Sequence, residues 1–145
     1  MPPVPPPKTA PQPQIQMMKR QFDLHLAAAI RQRQQDHPNP LTRYGCKAFS
    51  QTDEDGITLE ILRRLGLQNG TFAEFGVGDG FENNTLALLA AGWRGLWVGG
   101  QTLGYDPSGS PVLDFQQAWI TAENVVPLLQ SGLARLQSEA ADLIS

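Results

Sequence analysis

Three glycines at alternate positions, Gly76, Gly78 and Gly80, stand in the run Phe72-Ala73-Glu74-Phe75-Gly76-Val77-Gly78-Asp79-Gly80-Phe81-Glu82-Asn83-Asn84-Thr85. Residues without a side chain let the backbone approach a ligand and reach positive φ. An apolar, strand-like run enters this loop. Helix-starting residues leave it, followed by Leu86-Ala87-Leu88-Leu89-Ala90-Ala91. Strand, glycine loop and helix N-terminus together form the arrangement by which α/β proteins hold nucleotide-like ligands. A dinucleotide loop wants Gly-x-Gly-x-x-Gly and an acid about 20 residues on. Here the third glycine comes one residue early.

Other chemistry is sparse. His25 and His37 are the only histidines, and neither has an evident sequence partner, so surface roles are expected. Cys46 is the only cysteine. It cannot form an internal disulfide, and no CxxC or Cys/His cluster suggests a metal.

The elements that must position the loop can be read around it. Thr52-Asp53-Glu54-Asp55-Gly56 precedes Ile57, Leu59, Ile61, Leu62 and Leu65. Thr52 and Asp55 suggest helix capping, and Gly66 a stop, so a helix is expected over residues 53–65. A bolder reading puts Gln51 or Asp53 at the edge of the ligand site. Asn69-Gly70 is a turn, and the first strand is expected over residues 71–75. After the loop, a helix to about Ala91 and a strand over residues 93–98 complete a βαβ unit, which should be parallel. Residues 101–111 read as a loop and residues 112–120 as a third strand. A helix starts near Thr121, with Pro127 tightening its beginning, and a further helix is expected over residues 133–140. Asp142-Leu143-Ile144-Ser145 resembles the start of another strand. Trp93, Trp97 and Trp119 are expected in the core rather than as an aromatic platform.

The N-terminal 15 residues are mostly proline and glutamine and are expected to be a disordered tail. Met18, Phe22, Leu26 and Ala29 recur at spacings of three and four. They predict an amphipathic helix over residues 16–35, ended by His37-Pro38-Asn39-Pro40. The expected organisation is therefore a tail (1–15), a helix and linker (16–40) and an α/β domain (41–145). Its core is the N-terminal half of a Rossmann-like parallel sheet with flanking helices.

Composition narrows the function classes. The chain has 145 residues, a formal net charge of −3 and a pI of about 5.2, which argues against a nucleic-acid surface. No apolar run approaches the roughly 20 residues of a membrane span. The leader lacks the apolar stretch of a signal peptide, so the expected location is cytoplasmic.

Five blocks carry a narrower likeness. They are Gln51-x-Asp53-Glu54-Asp55-Gly56-Ile57, Phe72 through Gly80, Glu82-Asn83-Asn84-Thr85, Gly92-Trp93-Arg94-Gly95-Leu96-Trp97 and Ile120-Thr121-Ala122-Glu123-Asn124. In this order, over residues 44–145, they resemble the FkbM-type methyltransferases, which use S-adenosyl-L-methionine to methylate hydroxyls of sugars and other small metabolites. The resemblance implies that Glu74, Gly76, Gly78, Asp79 and Gly80 line the cofactor, with Asn84 and Thr85 at the helix start beneath it. Two departures stand out. The strand-two end reads Val98-Gly99-Gly100-Gln101 where many such enzymes carry a ribose-binding acid; the nearest acid is Asp106. The chain also stops where the family's fourth strand begins, so it reads as a cofactor-binding first half with no evident general base. An unpaired sheet edge then implies self-association. Two other readings stay open: a non-catalytic interaction module, and a nicotinamide- or flavin-binding domain.

Overall fold

The computed structural model describes residues 13–145. The proline-rich tail lies outside the described residues up to residue 12. Helix α1 spans Pro13–Asp36, three residues earlier than expected at its start. Proline is tolerated there because the first helical N–H groups have no partner within the helix. The side chains of Ile15, Met18, Phe22 and Leu26 are all exposed. Beyond α1, His37 organises the turn: its Nδ1 accepts the Asn39 N–H at 3.0 Å and lies 3.2 Å from Thr42 Oγ1.

Residues 44–145 form a separate compact unit. It contains α2 (Glu54–Leu65), β1 (Thr71–Phe75), α3 (Leu86–Ala90), β2 (Arg94–Gly99), β3 (Leu113–Gln117), α4 (Val125–Arg135) and β4 (Leu143–Ile144). The four strands make one parallel sheet in the order β3-β2-β1-β4. Thr71 pairs with Arg94 on one side of β1, and Phe72 with Leu143 on the other. This is the α/β architecture expected from the sequence, a Rossmann-like parallel sheet with flanking helices.

Alternation along the strands builds two cores. Phe72, Trp97 and Leu113 face Leu62 of α2 and Leu88 of α3. Ala73, Leu96 and Val98 face the other way, towards Leu128 and Leu129 of α4 and Leu136 just after it. Helices therefore cover both faces, as a buried parallel sheet requires. Pro127 sits in the first turn of α4, where its missing N–H costs no helical bond.

Several expectations are corrected. The third strand ends at Gln117, three residues early, so Trp119 and Ile120 lie beyond it. No further helix is formed over residues 133–140, whose first three residues belong to α4. Helix α4 stops at Arg135, and Gln137 takes a positive φ of 54°.

Thr52 and Asp55 do not cap α2. The Asp55 carboxylate turns back instead, and its Oδ2 accepts the N–H groups of Ala48, Phe49 and Ser50 at 2.7, 2.6 and 2.9 Å. Asp55 is buried, which opposes its ionisation, yet these donors prevail and hold its carboxyl below the ordinary range. Glu60 lies one turn further along. Hydrogen bonds from Arg63 and Arg64 hold its carboxyl down to about 2 from the usual 4.5.

Both acids contribute stability above their unfolded-state values and lose it as pH falls through the folded-state ones. Melting temperature should therefore drop from about pH 4.5 towards pH 2, and less steeply in Asp55→Asn. Asp55→Ala, which strands three backbone donors, should cost roughly 2–4 kcal/mol by urea denaturation at pH 7.

Candidate ligand-binding site

The glycine loop leaves β1 along the end of β2. Gly76 N–H donates to Val98 O at 2.7 Å, and Gly80 N–H to Val77 O at 2.9 Å. Gly76 and Gly78 have φ of 88° and 55°. A Cβ at either would meet nothing within 4 Å. Neighbouring atoms therefore leave space at these two positions; it is the backbone conformation that favours glycine. Gly80 differs, since a Cβ there would stand 2.9 Å from Leu103 Cδ2. Asp79 is exposed. Its Oδ1 accepts the Phe81 N–H, and its carbonyl accepts the Gly104 N–H.

Glu74 lies on the buried side of the loop and is only 7% exposed. Its Oε1 accepts the Asn84 N–H at 3.1 Å. Its Oε2 accepts the Thr85 N–H at 3.1 Å and the Thr85 hydroxyl at 2.5 Å. Trp97 Nε1–H in turn donates to Thr85 Oγ1 at 2.8 Å. One carboxylate thus joins β1, the start of α3 and, through a hydroxyl, the central strand β2. Thr85 is fully buried, so its side chain belongs to the support of the loop rather than to its surface. Asn84 Nδ2 reaches Ser145 Oγ at 3.3 Å, across the junction of β1 and β4. The neighbouring Asn83 Nδ2 is buried without a partner among the described residues.

A cavity of about 240 Å³ opens at that junction, lined by Glu54, Ile57, Thr58, Asn84, Thr85 and β4 with Ser145. Strand β1 is where the sheet order reverses, with β2 on one side and β4 on the other. Crevices beyond the strand ends at such points are where open α/β sheets take ligands. Of the polar residues at the start of α2, Glu54 lines this cavity; Gln51 and Asp53 do not. Sequence reasoning passed over Glu54, because its nearness to Asn84 and Ser145 is purely tertiary. Contacts with Thr52 hold the Glu54 carboxyl below the ordinary range.

No acid follows β2. Asp106 turns into its own loop, where Oδ1 accepts the Ser108 N–H at 2.9 Å. Gln101 is exposed beside Gly100. Trp93 and Trp97 are buried as expected, at 2% and 0% exposure, but Trp119 is 76% exposed and stands outside both cores. Its core assignment failed because the strand whose alternation suggested it had already ended.

Among the described residues, no three His, Cys, Asp or Glu side chains cluster to hold a metal. No described helix is long and apolar enough to cross a membrane. Comparison with known proteins finds no matching family model, curated protein or solved structure.

Thr85→Val should destabilise the unit by roughly 1–3 kcal/mol, because it strands the buried Trp97 Nε1–H and leaves Glu74 Oε2 with only the residue-85 N–H as donor. Thr85→Ser, which keeps the hydroxyl, should recover most of that loss in a thermal melt.

Proposed function

We propose that residues 44–145 are the cofactor-binding part of an S-adenosyl-L-methionine-dependent methyltransferase of the FkbM type. The observation that carries this reading is the loop surface at Gly76 and Gly78. Both take positive φ, and the space where a side chain would project is free of protein atoms. The surface lies at the C-terminal ends of parallel strands, beside the point where strand order reverses. That is the fit a bound cofactor needs, and the five sequence blocks choose among nucleotide-like ligands.

In this reading the backbone of Gly76, Gly78 and Gly80 and the exposed Asp79 would hold the cofactor. Glu74 would keep the loop and the α3 start fixed behind it. The cofactor supplies a methyl group on a sulfonium, whose positive charge already activates the leaving group. The chain's own part is alignment, with acceptor and methyl carbon held in line. The crevice between β1 and β4, with Glu54 on its wall, would receive a small hydroxylic acceptor, a sugar or other metabolite, in a cytoplasmic setting.

A second reading, a non-catalytic interaction module, rests on one observation: the exposed Met18, Phe22 and Leu26 of α1. Calorimetric titration separates the two. S-adenosyl-L-methionine should bind the wild-type chain and show no measurable heat with Gly78→Asp, whose charged side chain would enter the open space the cofactor needs. Equal titration curves for the two proteins would remove the methyltransferase reading.

A further inference from the structure

Trp119 is the one tryptophan the folding of the sheet does not use. Single exposed apolar side chains are ordinary. Three features set this one apart.

The first is its backing. A Cβ on Gly100 would lie 2.5, 2.6 and 2.7 Å from Trp119 Cδ2, Cε2 and Cε3. Three ring atoms at nearly equal distances mean that the indole lies broadside over the glycine. One face rests on backbone while 76% of the residue remains exposed. The second is its anchorage. Trp119 O accepts Asn124 Nδ2–H at 2.8 Å, Asn124 Oδ1 accepts the Thr121 N–H at 2.8 Å, and Ala118 N–H donates to Gly99 O at 2.9 Å. The turn that carries the indole is thus held at both ends. The third is its position. Trp119 follows β3 at the same end of the sheet as the glycine loop, with β2 between them. The loop reaches over the end of β2, where Gly78 N lies 3.7 Å from the Cβ position of Gly99, and the indole rests on the next residue, Gly100, so loop and indole flank the same strand end.

We infer that Trp119 is a stacking platform for the purine base of the ligand held at the glycine loop. The inference rests on the reading that this loop takes an adenosine-bearing ligand. A flat indole with one face backed and the other open offers a π surface that needs no further rearrangement. Gly100 is then required for a reason separate from turn geometry. It is the one residue type that lets the indole settle against the β2 end.

Fluorescence tests this directly, because Trp93 and Trp97 are buried and Trp119 is the solvent-facing emitter. Adenosine, titrated into the full chain, should quench the emission of the wild-type protein. Trp119→Ala should bind adenosine about tenfold more weakly by calorimetry, whereas Trp119→Phe should keep most of the affinity. Gly100→Ala, whose methyl would push into the ring, should weaken binding with the tryptophan still present. Unchanged melting of Trp119→Ala serves as the folding control. Adenosine that leaves the emission unaltered, or Trp119→Ala with wild-type affinity, overturns the inference. The two readings also fail separately. If S-adenosyl-L-methionine binds Trp119→Ala undiminished, the platform falls and the methyltransferase reading stands. If adenosine binds through Trp119 and the full cofactor does not bind, the platform stands and the methyltransferase reading falls.

Discussion

A carboxyl group removed from water must be met by hydrogen-bond partners, or its burial is costly. Glu74 satisfies that requirement with two backbone N–H groups and one hydroxyl, all from the first residues before α3. Much of the unit's geometry follows. Because Glu74 is the fourth residue of β1, the strand end and the helix start are fixed to each other. The chain must cover the interval between them in a tight excursion, and it does so through three glycines with positive φ. Thr85 spends its hydroxyl proton on Glu74 and still accepts from Trp97, so the bulkiest side chain on the sheet is oriented by the same group.

Asp55 repeats the device in the segment before α2. There a buried Oδ2 gathers three consecutive N–H groups of a chain stretch that has no regular structure of its own. In both places an acid substitutes for the ladder bonds that irregular backbone lacks. In the loop after β1 glycine supplies the conformational freedom and the acid supplies the order; before α2 the acid alone gives an irregular stretch a defined shape.

How much of this was legible depends on how local each cause is. Strand β1 was expected over the residues it occupies, and β2 one residue early, because Asn69-Gly70 and Gly92 punctuate the sequence at short range. The glycine loop was legible for the same reason. Asp55 was not, since its acidic position near a helix start suited capping equally well, and the choice was made by the fold of residues 48–50. Trp119 misled because alternation was extended past Gln117, beyond the ladder that gives alternation its meaning. The crevice could not be read at all. Its walls come from α2 near residues 54–58, from residues 84–85 and from residues 143–145, which lie far apart in the chain, and the last of these arrive only with the crossover from β3 to β4.

That crossover has a bearing on how the molecule assembles. β1 and β2 are joined by a short connection through α3. β4 reaches β1 only after the chain has passed β2, β3 and α4, and the bond from Thr71 N–H to Asp142 Oδ2 closes a loop of 71 residues. Loop-closure entropy must be met before such a contact repays it. The β1–α3–β2 portion can therefore form early, carrying the glycine loop with it, while β4 docks late. Loop closure thus favours an order that runs outward from the glycine loop, with the crevice complete only once β4 has docked.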